Sequence, residues 1–146
     1  MHRRNIIMGT FTAAGALMAT ATRGRANTTD TDKPKVVYHL CDLDKVAFVL
    51  GNIRNHFEGG PDKVTIELVV HGPALKAFYA ASANADVTRR FGEFSKAGLA
   101  AQACGNSMKT QNVTLKDLLP GFGIADRGGV VRIAELQALG YAYLKP

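Results

Sequence analysis

Cys104 is the residue whose type and position in the chain most directly suggest chemistry. Residues 99–104 are predicted to form a short strand of small side chains, and the Gly-Asn-Ser stretch that follows breaks it and caps a helical turn near Met108. A thiol at such a junction lies close to unpaired backbone N–H groups and to the positive end of a helix dipole. Both favour the thiolate, the form of cysteine that attacks or carries sulfur. The alternative is a buried thiol that behaves as a small hydrophobic side chain.

Cys41 and His71 are the other candidate site residues, because each lies at the end of a predicted strand. His71 could orient or deprotonate the Cys104 thiol, although a histidine before Gly-Pro can also be a structural capping residue. Cys41 and Cys104 are the only cysteines of the chain, so they could form a structural disulfide in an oxidising compartment. They could equally form a reversible pair, in which Cys41 resolves an oxidised or persulfidated Cys104.

Other kinds of site find little support in the sequence. His39 and Cys41 are two residues apart, His56 is predicted on the outer face of a helix, and the chain contains no CxxC or HExxH motif. It has neither a P-loop nor a dinucleotide-binding glycine pattern, and Ser107 lacks the flanking residues of a nucleophile elbow. The sequence therefore predicts no metal and no cofactor.

The first 26 residues have the layout of a bacterial export signal. Arg3 and Arg4 precede a weakly apolar run, and small residues ending at Ala21 or Ala26 offer cleavage sites. The adjacent arginines resemble a twin-arginine signal, which exports proteins that have already folded. The apolar run is about 16 residues long, short of the roughly 20 that span a bilayer. We therefore expect a periplasmic protein without a membrane span in its mature form, with residues 27–34 as a flexible leader.

Removal of residues 1–26 changes the charge of the chain. The segment holds four arginines and no acidic residue, so the formal net charge falls from +6 to +2. A mature chain with so small a charge and no basic run gives no indication of nucleic-acid binding. The remaining chain of about 120 residues is long enough for one domain with a real core and too short for two. We place that domain at residues 35–146.

Strand and helix patterns alternate through this domain. Strands are predicted near residues 36–40, 64–70, 99–104, 122–126 and 141–144, with helices between them. The alternation predicts an α/β fold, a single domain with a five-stranded, mostly parallel sheet and helices on both faces. The flavodoxin-like strand order 2-1-3-4-5 is the simplest arrangement. In that order, Cys41, His71 and Cys104 would lie in a row at the carboxyl edge of the sheet, where such folds bind ligands.

Five stretches of the sequence resemble the DsrE/DsrF-like family, whose better-known members carry or transfer sulfur. They are residues 35–39 (KVVYH), 51–56 (GNIRNH), 67–75 (ELVVHGPAL), 103–108 (ACGNSM) and 136–146 (LQALGYAYLKP). Together they span nearly all of the mature domain. The resemblance implies a DsrE-like α/β fold, in agreement with the fold predicted from the alternation of strands and helices.

The same resemblance implies a function. In the sulfur-relay members of that family, a cysteine at the Cys104 position carries a persulfide, and the subunits assemble into trimers or hexamers. It therefore implies a homo-oligomeric sulfur carrier, possible sulfurtransferase activity through Cys104, and a sulfur donor or acceptor protein as partner. The alternative is a non-catalytic binding module with a structural Cys41–Cys104 disulfide. Its small crevice would be lined by the Gly-Pro after His71 and the Gly-Asn after Cys104.

Overall fold

Residues 33–146, which the computed structural model describes, alternate between strands and helices. The strands are β1 (Lys35–Leu40), β2 (Thr65–Val70), β3 (Ala100–Cys104), β4 (Phe122–Ala125) and β5 (Ala142–Leu144). The helices are α1 (Val46–Glu58), α2 (Ala85–Lys96), α3 (Gly105–Thr110) and α4 (Gly129–Ala138), with short 3-10 segments at Leu43–Lys45, Gly72–Phe78 and Leu115–Asp117. The predicted export signal (1–26) and most of the predicted leader lie outside the described residues. No helix in the described range is long and apolar enough to cross a membrane.

The five strands form one sheet in the order β4-β3-β2-β1-β5, and every neighbouring pair is parallel. The predicted single α/β domain with a five-stranded parallel sheet is confirmed. The predicted order 2-1-3-4-5 is wrong, because β2 lies between β1 and β3 and pairs with both. The last five residues of β2 are all buried, as expected for a strand that is paired on both edges and covered on both faces.

The strand order also decides which helix covers which face of the sheet. β1 to β4 follow one another across the sheet in one direction, so right-handed crossovers put α1, α2 and α3 on the same face. The chain then returns from β4 to β5 at the opposite edge, which places α4 alone on the other face. The apolar contacts agree, because Ile133 and Leu136 of α4 pack with Val37 and Val69, whose side chains alternate with those that face α1.

Most of the hydrophobic core lies on the face with three helices. Alternate side chains of the strands meet the buried stripes of α1 and α2 there. Phe78, Phe91 and Phe122 pack together within this core, with ring centroids 4.7 to 5.4 Å apart. The smaller cluster under α4 contains four buried apolar residues. Polar contacts therefore contribute a larger share of the stability of the packing of α4 on the sheet than of the packing of the other helices.

The segment after β2, predicted as a helix, is a seven-residue 3-10 stretch (Gly72–Phe78). Its apolar residues Leu75 and Phe78 are buried, because residues three apart lie on the same side of a 3-10 helix. Gly72 has a φ of 58°, a left-handed conformation that glycine adopts without strain. The chain therefore turns sharply at the end of β2 and runs along the carboxyl edge of the sheet.

Glu67 is the buried charged residue of the described chain, and it lies on the face of β2 that α4 covers. Arg132 of α4 donates two hydrogen bonds to it, from Nε to Oε1 at 2.7 Å and from Nη2 to Oε2 at 2.9 Å. A bidentate arginine–carboxylate pair is among the stronger charge-assisted contacts in proteins. The Glu67 side chain is 5 % exposed and that of Arg132 is 32 % exposed. Loss of Arg132 would therefore leave a buried charge unpaired, whereas loss of the carboxylate would leave an arginine that reaches water.

We expect Arg132→Met to lower the free energy of unfolding at neutral pH by roughly 2–3 kcal/mol, because it leaves the Glu67 carboxylate buried without a partner. This is less than for a fully buried pair, since Arg132 is partly exposed. Glu67→Gln should lose only about 1 kcal/mol, because Arg132 can turn to water and to Glu135, whose Oε2 lies 3.8 Å away. Urea unfolding measures both losses.

Arg127→Met is the matched control for this experiment. Arg127 is 78 % exposed and pairs with Glu135 at the surface, so its loss should change the free energy of unfolding by less than about 0.5 kcal/mol. Equal losses for the two arginine variants would contradict the role of the Glu67–Arg132 pair.

Candidate functional site

The carboxyl edge of the sheet brings together the residues that the sequence singles out. Cys41 follows β1, His71 follows β2, and Cys104 ends β3. Because β2 lies between β1 and β3, His71 rather than Cys41 is the middle residue of the row. His39, two residues before Cys41, lies on the same face of β1. These side chains share the face of the sheet that α4 covers.

Cys104 is the N-cap residue of α3 and is buried, with 6 % of its surface exposed. Its side chain makes no close capping hydrogen bond, but four donors surround the sulfur. They are the Ser107 hydroxyl and the backbone N–H groups of Ser107, Gly129 and Asn106. Burial raises the pKa of the Cys104 thiol, but the donors together outweigh burial and hold the pKa below its ordinary value. The surroundings therefore favour the thiolate.

Ser107 is held in place by the turn after β2. The backbone N–H of Gly72 donates to Ser107 Oγ at 2.8 Å, and Gln111 Nε2 donates to the Gly72 carbonyl at 2.8 Å. Because the Ser107 oxygen accepts the Gly72 proton, its own hydroxyl proton is free to point at the Cys104 sulfur. Sequence reasoning missed this role. The signal is a serine three residues after the capping cysteine, a position whose side chain can reach back to the start of a helix.

Gly129 brings a donor to Cys104 from a distant part of the chain. It is the first residue of α4, and an added Cβ there would lie 3.4 Å from the Cβ atoms of both Cys104 and His71. The absence of a side chain thus lets the start of α4 lie directly on the ends of β2 and β3. The backbone N–H of Gly129 consequently faces the Cys104 sulfur. Sequence reasoning missed this contact too, since nothing local links the two segments.

The Cys41–Cys104 disulfide that the sequence allows is not formed, and both cysteines are free. The strand order is the physical reason. The two cysteines follow strands that are two apart, about 10 Å at the usual strand spacing. A disulfide needs a Cα separation of roughly 4.4–6.8 Å. Cys41 instead donates a hydrogen bond to Asp42 Oδ2 at 3.3 Å.

His71 turns toward β1 rather than toward Cys104. Its ring stacks on that of His39, with centroids 4.6 Å apart and planes 19° from parallel, and the Nε2 atoms of the two rings are in contact. His39 Nδ1 lies 2.7 Å from the Tyr143 hydroxyl. A ring nitrogen of each histidine and Cys41 Sγ all lie within 4.8 Å of one another. The sequence spacing of His39 and Cys41 gave no sign of this group, because its third member comes from the neighbouring strand.

Burial sets the charge state of this group. It lowers the pKa of His39 to about 4, aided by the positive potential of His71 and Lys145 and opposed by Asp42. Burial also lowers the pKa of His71, with Lys145 acting in the same direction. Burial and the hydrogen bond to Asp42 raise the pKa of the Cys41 thiol. At neutral pH both imidazoles are therefore uncharged and Cys41 keeps its proton.

Two clefts of the described chain lie on opposite faces of the sheet, one beside α4 and one beside α1. One, of about 390 Å³, is bounded by the segment after β4 and by Arg132 and Glu135 of α4. The other, of about 410 Å³, lies between α1 and the C-terminal residues, around Tyr38 and His56. Neither is lined by the Gly-Pro after His71 or the Gly-Asn after Cys104, the segments predicted to line a binding crevice. A third cleft, of about 290 Å³, is lined by Gly105 of that Gly-Asn segment together with residues of α3 and of the segment around Asp126.

Ser107→Ala should raise the pKa of the Cys104 thiol, because it removes the largest of the contributions that lower it. The ultraviolet absorbance of the thiolate, followed against pH in a Cys41→Ser background, measures the shift without a reagent that must reach the buried sulfur. Ser95→Ala is the matched control, since Ser95 Oγ is buried without a hydrogen-bond partner among the described residues. An unaltered titration in Ser107→Ala would show that the hydroxyl does not stabilise the thiolate.

The Cys104 thiol should also contribute to the pH dependence of the free energy of unfolding. The pKa of Cys104 in the folded chain lies below the ordinary value that the thiol has in the unfolded chain, so the folded chain binds fewer protons between the two values. Stability then rises with pH across that window, and the contribution is lost as the pH falls through the folded pKa. We expect urea unfolding of Cys104→Ser in the Cys41→Ser background to lack this rise. Identical pH profiles with and without Cys104 would contradict the depressed pKa.

No protein-family model and no curated protein sequence matches the chain, but solved structures do. MTH1491, a protein of unknown function from Methanobacterium thermoautotrophicum, is 26 % identical, with 78 % of this chain and all of that one covered and a TM-score of 0.70. The ychN protein of E. coli is 12 % identical, with 79 % of this chain and all of that one covered and a TM-score of 0.63. BT1422, a conserved protein of unknown function from Bacteroides thetaiotaomicron, is 15 % identical, with 77 % of this chain and 94 % of that one covered and a TM-score of 0.53. These likenesses support a DsrE-like fold in general.

Proposed function

We propose that this protein carries sulfane sulfur as a persulfide on Cys104. The observation that carries the proposal is the surroundings of the thiol, where four donors hold the pKa of Cys104 below its ordinary value although the residue is buried. A sulfur carrier needs a stabilised thiolate near positive electrostatics and little else. The DsrE-like fold supports the same proposal, since the family resemblance implies a persulfide cysteine at this position.

The proposed step transfers one neutral sulfur atom. The Cys104 thiolate attacks the outer sulfur of a donor persulfide, R–S–SH, and the S–S bond of the donor breaks. A new S–S bond forms on Cys104, the proton stays on the transferred sulfur, and the leaving thiolate RS⁻ keeps the bonding electron pair. The step consumes no separate oxidant or reductant. The hydrogen-bond donors around Cys104 that stabilise the thiolate would stabilise an ionised persulfide in the same way.

The burial of Cys104 restricts the size of the sulfur donor that can reach it. Only 6 % of the residue is exposed, so a small linear species such as inorganic polysulfide reaches the sulfur more easily than a bulky one. We therefore propose a small donor for loading. Release to a partner protein would require the start of α4 to move away from the sulfur, because Gly129 lies against the Cys104 side chain.

His71 and Cys41 have no assigned part in this step. The ring of His71 faces His39, and Ser107 takes the place beside the sulfur that the sequence predicts for His71. A resolving role for Cys41 would require the two cysteines to approach each other across the end of β2.

Export, assembly and partner proteins belong to the proposal as well. The export signal would place the protein in the periplasm, and the family resemblance implies a trimer or hexamer. Val130 and Leu139 of the α4 region are 67 % and 61 % exposed. Large apolar side chains in such positions are suited to contact with another subunit or a partner protein.

Mass spectrometry of the intact protein before and after exposure to polysulfide tests the proposal. In a Cys41→Ser background we expect a gain of whole sulfur atoms that a reductant removes and that is absent when Cys104→Ser is added. Ser107→Ala should slow uptake at neutral pH, because less of the thiol is ionised, while Ser95→Ala should not. Uptake that is absent, or equal without Cys104, would refute sulfur carriage and favour the non-catalytic binding module.

A further inference from the structure

We propose that His39, Cys41 and His71 form a binding site for one late transition-metal ion of the class that includes Zn(II) and Cu(I). The sulfur step proposed for Cys104 uses none of these residues, so the inference goes beyond it. The site lies at the carboxyl edge of β1 and β2, on the face of the sheet that α4 covers. This is the edge at which parallel α/β sheets bind their ligands.

The three ligand atoms already lie close enough to share one ion. A ring nitrogen of each histidine and Cys41 Sγ are within 4.8 Å of one another. With metal–nitrogen bonds of about 2.0–2.1 Å and a metal–sulfur bond of about 2.3 Å, the ligand atoms of a tetrahedral site lie roughly 3.3–3.7 Å apart. The Nε2 atoms of the histidines are in contact, so they need to part slightly. Rotation of the rings about their side-chain bonds achieves this without a change in the strands.

The sheet itself sets the relative positions of the ligands. His39 and Cys41 are two residues apart at the end of β1, which places them on the same face. β1 and β2 pair up to Leu40 and Val70, and the backbone N–H of His71 donates to the Leu40 carbonyl at 3.0 Å. That hydrogen bond extends the ladder to the residue that bears the third ligand. Ligands placed on paired strands hold a site geometry more accurately than ligands on free loops.

The ligand types select the metal. Two imidazoles and a thiolate form a borderline-to-soft set, which suits zinc and copper and does not suit Mg(II) or Ca(II), whose ligands are oxygen atoms. Three protein ligands leave a fourth position open for water or a small molecule around Zn(II). All three residues are only partly buried, so an ion can enter from solvent.

Neighbouring side chains orient the ligands. The Tyr143 hydroxyl lies 2.7 Å from His39 Nδ1, the ring nitrogen that does not face His71. A metal-bound histidine commonly has its second ring nitrogen in such a hydrogen bond, which fixes the ring and its tautomer. The Cys41 thiol donates a hydrogen bond to Asp42. Metal binding would replace that S–H bond with a metal–sulfur bond and release one proton.

Titration of the full-length protein with Co(II) under anaerobic conditions tests the site. Co(II) is a coloured substitute for Zn(II), and a thiolate ligand gives it an intense charge-transfer absorption. We expect one Co(II) per chain, with a thiolate band that Zn(II) abolishes by displacing the cobalt. A parallel competition for Cu(I) against a coloured chelator shows which of the two ions the site prefers, and tight binding of either supports the proposal.

Variants connect the binding to the three residues. Cys41→Ser should abolish the thiolate band, and His39→Asn and His71→Asn should each weaken binding by more than roughly a hundredfold. Tyr143→Phe should weaken it by roughly tenfold, as loss of a residue that orients a ligand does. His56→Asn is the matched control, because the His56 ring contacts Tyr38 instead. Circular dichroism of each variant without metal verifies that it folds.

The failure of this proposal and that of sulfur carriage can be told apart. Cys104→Ser should keep the Co(II) band and lose the sulfur adduct, whereas Cys41→Ser should keep the adduct on Cys104 and lose the band. Failure to bind Co(II), Zn(II) or Cu(I), or binding that survives Cys41→Ser and both histidine variants unchanged, would overturn the metal site. The two histidines would then be a proton-sharing pair without a metal.

Discussion

The ion pair between Glu67 and Arg132 is the contact on which the rest of the site depends. α4 covers its face of the sheet alone, and four buried apolar residues hold it there. The pair adds a directional anchor at the centre of that face, from the middle strand to the helix. Gly129 begins the same helix three residues earlier, so the position of Arg132 also determines where the Gly129 N–H meets the Cys104 sulfur. A buried charge in the sheet thus helps to set the ionisation of a thiol at its edge.

The local sequence predicts the strands and helices because their signals are local. The β-branched run of β2 is a property of a single segment and is found where it is predicted. The helix α4 is also found where it is predicted, but of the apolar residues expected on its buried side only Ile133 and Leu136 are buried, while Val130 and Leu139 are exposed. The strand order is different in kind, since it depends on which edges pair across the whole sheet. β1 and β2 carry similar apolar runs, and neither run predicts that β2 is the middle strand of the sheet. The 3-10 form of Gly72–Phe78 is also decided by its packing on the core.

The same distinction explains how much of the site is predictable. The junction at Cys104 is a local feature, and the donors from Asn106 and Ser107 follow from the start of α3. The donor from Gly129 comes from a segment 25 residues further along the chain, so only the fold reveals it. The pairing of His39 with His71 depends on β1 lying beside β2. Motif searches look for ligands at fixed spacing within one segment, and they do not detect a set divided between two strands.

The short strand β5 has a consequence for the order in which the chain can fold during synthesis. Each of the first four strands can join the edge formed by its predecessor as it leaves the ribosome, so the sheet grows in one direction. β5 departs from this order of addition, because it pairs with β1, the first of the five strands to be made, at the opposite edge of the sheet. That edge stays unpaired until β5 has emerged from the ribosome. The Tyr143 hydroxyl reaches His39 in the same event, so closure of the sheet also brings the tyrosine to the histidine pair.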